Sequence, residues 1–177
     1  RSRIWTATVG RSLATFRELM SIFLMPRFFV GTSLSPDDIV QLPDDVVRHV
    51  LVLRLQVGDS IVLFNGEGGE YSAELAAIER RAVTVKIREF RDIEVETPYR
   101  LTLAQGIASG DKMDWLIEKA VELGASSFVP LTTTRSVVRL AGERAARRHA
   151  HWEGIVRASC EQCGRNRLPE VMPVREI

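Results

Sequence analysis

Two periods of apolar residues divide the chain. Over residues 27–96 apolar and polar positions alternate in the manner of strands. Ser60-Ile61-Val62-Leu63-Phe64 is a short apolar run after a turn at Gly58-Asp59, and further strands are predicted over 71–78 and 82–90. In the last of these Val83, Val85 and Ile87 take one face and Thr84, Lys86 and Arg88 the other. Asn65-Gly66 tolerates the positive φ that a tight connection requires. Ahead of these strands, residues 43–53 read as one helix, apolar at Val46, Val47, Val50, Leu51 and Leu53, with Pro43 suited to its first turn. Past Pro98 the period lengthens. A strand over 101–106 leads into a helix that Asp111 can cap and Gly124 stops, with Met113, Leu116, Ile117, Ala120 and Val121 at helical spacing. Residues 127–131 read as the next strand. Strand, helix, strand is a βαβ unit, so the two strands should be parallel. A long helix over 143–160, apolar at Trp152, Ile155 and Val156, and a strand over 170–172 complete the pattern. A small β-rich domain is therefore expected ahead of an α/β domain.

Composition narrows the class. The chain has 177 residues and 45% hydrophobic residues, enough for one large or two small cores and too many for disorder at a net charge of +1. Two cysteines cannot build a disulfide scaffold, which points to a reducing cytoplasm. No run of 18 apolar residues is present, so no membrane partner is expected. The near-neutral total conceals a segregation. Residues 1–24 carry four Arg against Glu18, 25–98 carry eight basic and thirteen acidic residues, and 99–177 carry twelve basic and nine acidic. Within 135–167 eight Arg face only three Glu, the footprint of a phosphate-rich partner or a solvated helix face. Residues 1–24 resemble a transit peptide in composition or arise from translation upstream of a start at Met25. The second reading is favoured, and the segment is set outside the fold.

Four stretches invite chemistry. Gly66-Glu67-Gly68-Gly69 has no following helix to bind a phosphate and reads as a hairpin turn. Gly106-Ile107-Ala108-Ser109-Gly110-Asp111-Lys112 follows a strand but fails the spacing of a nucleotide-binding phosphate loop. It lies at the carboxyl edge of the predicted sheet, where ligands of open α/β folds sit, and so does Thr132-Thr133-Thr134-Arg135. Lys112 and Arg135 could there converge on one anion. Cys160 and Cys163 lack the two further ligands zinc would need, and His49, His149 and His151 show no finger spacing, so no metal is expected. Glu161-Gln162-Cys163-Gly164-Arg165-Asn166-Arg167 gathers two fork-shaped Arg donors around a glycine at a helix end. That glycine is equally suited to a simple helix cap.

These residues, with Pro26-Arg27-Phe28, Arg48, Val52-Leu53-Arg54, Leu63-Phe64-Asn65-Gly66, Lys112-Met113, Ile117-Glu118-Lys119-Ala120-Val121-Glu122-Leu123-Gly124, Pro130-Leu131, Arg135-Ser136, Trp152 and Leu168-Pro169-Glu170, resemble the bacterial RsmE family of 16S ribosomal RNA uridine N3-methyltransferases. The likeness runs in order from Met25 to the end. The resemblance implies a PUA-like β-barrel over 25–97, followed over 98–177 by the first part of a SPOUT α/β domain with a parallel sheet. It also implies a cytoplasmic homodimer that transfers a methyl group from S-adenosylmethionine to N3 of a uridine in the small ribosomal subunit. The family's Gly-Pro-Glu-Gly loop and Leu-Arg-Thr-Glu stretch do not occur here. The donor site and the knot are therefore expected beyond Ile177, in a longer protein of which this chain, alone inactive, is a fragment.

Uridine N3 is protonated at neutral pH, so a basic pocket that favours its anion is needed. On the resemblance Arg165 positions the uridine or its phosphate, with Glu161 and Gln162 orienting it. Arg27, Arg48, Arg54, Lys112, Arg135 and Arg167 are the RNA contacts. A non-enzymatic RNA-binding or ribosome-assembly module is the alternative, and a thiol redox protein on Cys160 and Cys163, with a low-pKa thiol, a third reading.

Overall fold

The computed structural model describes residues 25–134, 140 and 142–177. The leader at 1–24 and Arg135 lie outside the described residues. The first half is a five-stranded mixed sheet of β1 (Arg27–Phe29), β2 (Ile39–Gln41), β3 (Ser60–Phe64), β4 (Glu70–Ile78) and β5 (Val83–Arg91), in the order β1-β3-β4-β5-β2. β1 runs parallel to β3 and the other pairs are antiparallel. No ladder joins β1 to β2 among the described residues, and at three residues each these edges are short. The helix read from the sequence is α1 (Asp44–Val52), with Pro43 at its N-cap and acidic Asp44 and Asp45 favourably placed in its first turn. Val46, Val47 and Val50 turn inward from it onto Phe28, Leu63, Leu75 and Val85.

The second half carries the parallel strands β6 (Thr102–Gly106) and β7 (Ser127–Thr132) around α2 (Lys112–Glu122). Asp111 stands at the N-cap of α2, but its side chain makes no capping hydrogen bond, contrary to the role expected of it. Next comes α3 (Gly142–Cys163), one residue longer at its start and three at its end than the apolar pattern suggests. It buries Trp152, Val156, Ser159 and Cys160, a stripe at spacings of four, three and one. Two short strands, β8 (Glu170–Val171) and β9 (Arg175–Glu176), then pair in parallel with successive stretches of β7. Pro130 explains the interruption between them. The carbonyls of Phe128 and Thr132 accept bonds from Met172 and Ile177, so this side of β7 is the one on which Pro130 has no N–H to donate.

The two halves meet along β1 and β3. Phe28, Ile61 and Leu63 enter the first core, while Phe64 enters the second beside Trp152 and Cys160, and Phe29 packs against it. The unbroken apolar run Ile61-Val62-Leu63-Phe64 is thus a strand buried on both faces, one by each domain.

Candidate nucleic-acid interface

Arg165, Arg167, Glu161 and Arg27, named from the sequence as site residues, do come together, and they do so at the seam between the domains. Gly164 ends α3 with φ +85°, a left-handed conformation that favours glycine, and its N–H bonds the carbonyl of Cys160 at 3.1 Å. The chain turns there and runs alongside the interdomain segment 92–97. Arg165 grips the carboxylate of Glu96 with two nitrogens, Nε to Oε1 at 3.0 Å and Nη2 to Oε2, and its Nη1 donates to the carbonyls of Val121 and Ala125 at 3.0 and 2.7 Å. Only 4% of Arg165 is exposed, so its guanidinium has no open face for a nucleotide. Burial works against the charge of this Arg, and the hydrogen bonds it donates to Glu96, with that carboxylate's charge, more than offset it, so its pKa is raised.

Asn166, fully buried, donates to the carbonyl of Ile93 at 2.7 Å and accepts from Arg27 Nη2 at 2.7 Å. Arg167 Nε reaches Glu94 Oε2 at 3.0 Å, and Glu94 in turn accepts the N–H of Gly69 in the β3–β4 turn at 2.8 Å. Arg27 also pairs with the buried carboxylate of Glu70, which Arg91 approaches at 3.4 Å. Glu161 accepts the N–H of Phe29 at 2.9 Å; burial pushes its pKa up, against the pull of that bond. Arg157 bonds Asp45 at 3.0 Å and lies 5.1 Å over the ring of Phe29. Glu94, Glu96 and Glu70 were not singled out by the sequence reading, and Asn166 was noted only as part of its stretch. A signal was present: Glu94 and Glu96 are two apart, as are Arg165 and Arg167, and two extended segments run antiparallel pair such charges as 96 with 165 and 94 with 167.

Cys160 is fully buried, its thiol 3.7 Å from the carbonyl of Arg167, and burial pushes its pKa up to about 12. Cys160 therefore gives the thiol redox reading no support, since that reading asks for an accessible thiol of lowered pKa.

The remaining residues are dispersed. Gln162 is exposed on α3, and Lys112 is exposed at the start of α2. Arg48 and Arg54 are exposed on the first domain, where Arg48 lines a cleft of about 480 Å³ with Arg80, Arg81 and Leu51. A second cleft, of about 440 Å³, opens at the carboxyl edge of β6 between the loop after it and α3; Arg144, Arg147, Arg148 and His151 line one wall. Cationic walls suit phosphate and repel a sulfonium donor. The cleft beside Thr132, Glu176 and Ile177 is about 140 Å³, below the roughly 300 Å³ of small-molecule sites. Neither of these two clefts has the lining and size of a methyl-donor site.

Two family models match the chain: an RNA methyltransferase PUA domain over residues 42–88 and an RNA methyltransferase domain over 95–177. Ribosomal RNA small subunit methyltransferase E of Bacillus subtilis is 33% identical over 159 residues, 86% of this chain and 61% of that protein. The enzyme of the same name from Neisseria gonorrhoeae, solved bound to S-adenosyl methionine, superposes with a TM-score of 0.83 at 43% identity, covering 86% of this chain and 63% of that one. A putative methyltransferase of Legionella pneumophila, in complex with the bound cofactor SAM, gives 0.82 at 30% identity over the same shares. The chain spans a little over three fifths of the length of these relatives. With both halves matched in order and the fold shared, the chain belongs to the ribosomal RNA small subunit methyltransferase E family.

Proposed function

We propose that the protein carrying this chain methylates N3 of a uridine in 16S ribosomal RNA, within the small subunit, and that S-adenosylmethionine supplies the methyl group. The observation that carries this reading is the joint likeness of sequence and fold to the Neisseria enzyme solved with that donor. The chain contributes RNA contacts from two directions: Arg48 and Arg54 from the first domain, and Lys112, Arg135 and Arg167 from the second. Arg165, with Glu161 and Gln162 on the same helix end, acts by position. It sets the orientation of one domain against the other and thereby the place at which the uridine arrives. Exposed Trp115 and Leu123, on α2 and just after it, support a homodimer in which a second copy covers this helix. Ribosomes as substrate place the protein in the cytoplasm.

Small subunits lacking the modification, incubated with the protein and methyl-labelled donor, test the reading. One label per 16S chain, on N3 of a uridine, is expected; label on another atom, or none, contradicts it. RNA affinity should also fall with salt, since phosphate contacts release counterions, with a slope of about −0.7 per contact on single strands.

A further inference from the structure

We propose that the cleft between the β6–α2 loop and α3 is a nucleotide subsite, taking one base and the adjoining phosphates of a single-stranded RNA segment. The inference rests on the RNA reading above and adds a location to it. The cleft of about 440 Å³ is the size of a small-molecule site. Ile107, Ala108 and Leu140 give it apolar lining, and no carboxylate lines it among the described residues. Apolar and cationic lining together suit the flat face of a base and its neighbouring phosphates. The loop supplies Ser109 and Gly110, whose backbone stands at the carboxyl edge of β6, where open sheets hold ligands.

The opposite wall is built in layers. Arg148 is fixed: it donates to the carbonyl of Gly110 at 3.4 Å, approaches Asp114 at 3.7 Å and lies 5.8 Å over the ring of Trp152. His151 is held on the same carboxylate at 2.7 Å. Rather than by the outer arginines, Asp114 is thus faced by Arg148 and His151. Outside them stand Arg144, without an ion-pair partner among the described residues, and Arg147, whose only such partner there is exposed Glu143. An exposed pair of this kind is worth little and yields readily to a phosphate. Arg144 and Arg147 lie three residues apart on α3, about 4.5 Å along its axis, so their long side chains can reach successive phosphates of one strand. A polynucleotide offers these two cations two phosphates where a mononucleotide offers one, which favours a polynucleotide.

The test is binding of a short oligouridylate, of UMP and of inorganic phosphate to the protein, read by amide signals of Ser109 and Gly110 and by affinity against salt. The variant is R144Q/R147Q; both side chains are exposed, so an unchanged thermal midpoint will show that the fold is intact. Oligouridylate should shift both amides, and the variant should bind it about tenfold or more weakly, with a salt slope shallower by about 1.4, two contacts at about 0.7 each. UMP binding as tightly as oligouridylate overturns the polynucleotide. A wild-type chain that binds RNA, with an unaltered affinity and slope in the variant, overturns this subsite alone. Failure of the wild type to bind RNA overturns the subsite and the RNA reading together.

Discussion

At the scale of single residues, the charges that the sequence made conspicuous are mostly engaged with the protein itself. Glu161 is a carboxylate whose burial raises its pKa above the usual range. Such a group contributes stability in acid and loses it as pH rises through the folded pKa. E161Q keeps an acceptor for the N–H of Phe29 and removes the buried charge. It should therefore be more stable than wild type at about pH 8, with the gain shrinking toward pH 4, in denaturant titrations across that range. Cys160, with a pKa of about 12 and no exposed surface, should resist iodoacetamide at pH 8 in the native protein and react once it is unfolded. Mass spectrometry of the peptide distinguishes the two; rapid native labelling of Cys160 would contradict the burial described. Neither state was legible in the sequence, because Glu and Cys carry no mark of the dielectric that surrounds them. Arg27 is the same lesson with the sign reversed. An Arg beside an apolar run reads as a surface contact, yet here Glu70 and Asn166 take its guanidinium inside the seam.

At the scale of elements, the periodicities were sufficient for α1, α2, α3 and the long strands, since each needs only its own apolar face. They were insufficient for β1, β2 and β9, which are two or three residues long and exist through pairing with distant partners. The turn of 164–167 belongs to this scale as well. Its glycine was recognised as a possible cap, but Arg165 was assigned to the uridine or its phosphate and Arg167 to the RNA, because their partners, 69 and 73 residues earlier in the chain, lay outside any local pattern. G164A forces an L-residue into the left-handed region and should cost about 1–2 kcal/mol. R165A leaves Glu96 half-enclosed without its partner and the carbonyls of Val121 and Ala125 without a donor. A loss of about 3 kcal/mol is expected by chemical denaturation. R165K should recover little, since one ammonium cannot reproduce a fork that serves two carboxylate oxygens and two carbonyls.

At the scale of the whole molecule, two small cores behave as one structure because β3 serves both and because the 164–167 segment clasps the chain that joins them. The acidic first half and the basic second half, visible as charge counts, find part of their reason here: Glu94 and Glu96 lie on the acidic side of the join, Arg165 and Arg167 on the basic side. The most direct test is a double-mutant cycle of R165A and E96A, measured as methyl transfer to small subunits by the protein that carries this chain. If the pair acts by holding the domains, the two single variants should lose transfer by similar factors and the double variant should be little worse than either. Abolition of transfer by R165A while E96A leaves it intact would contradict the clasp and return Arg165 to the reacting uridine.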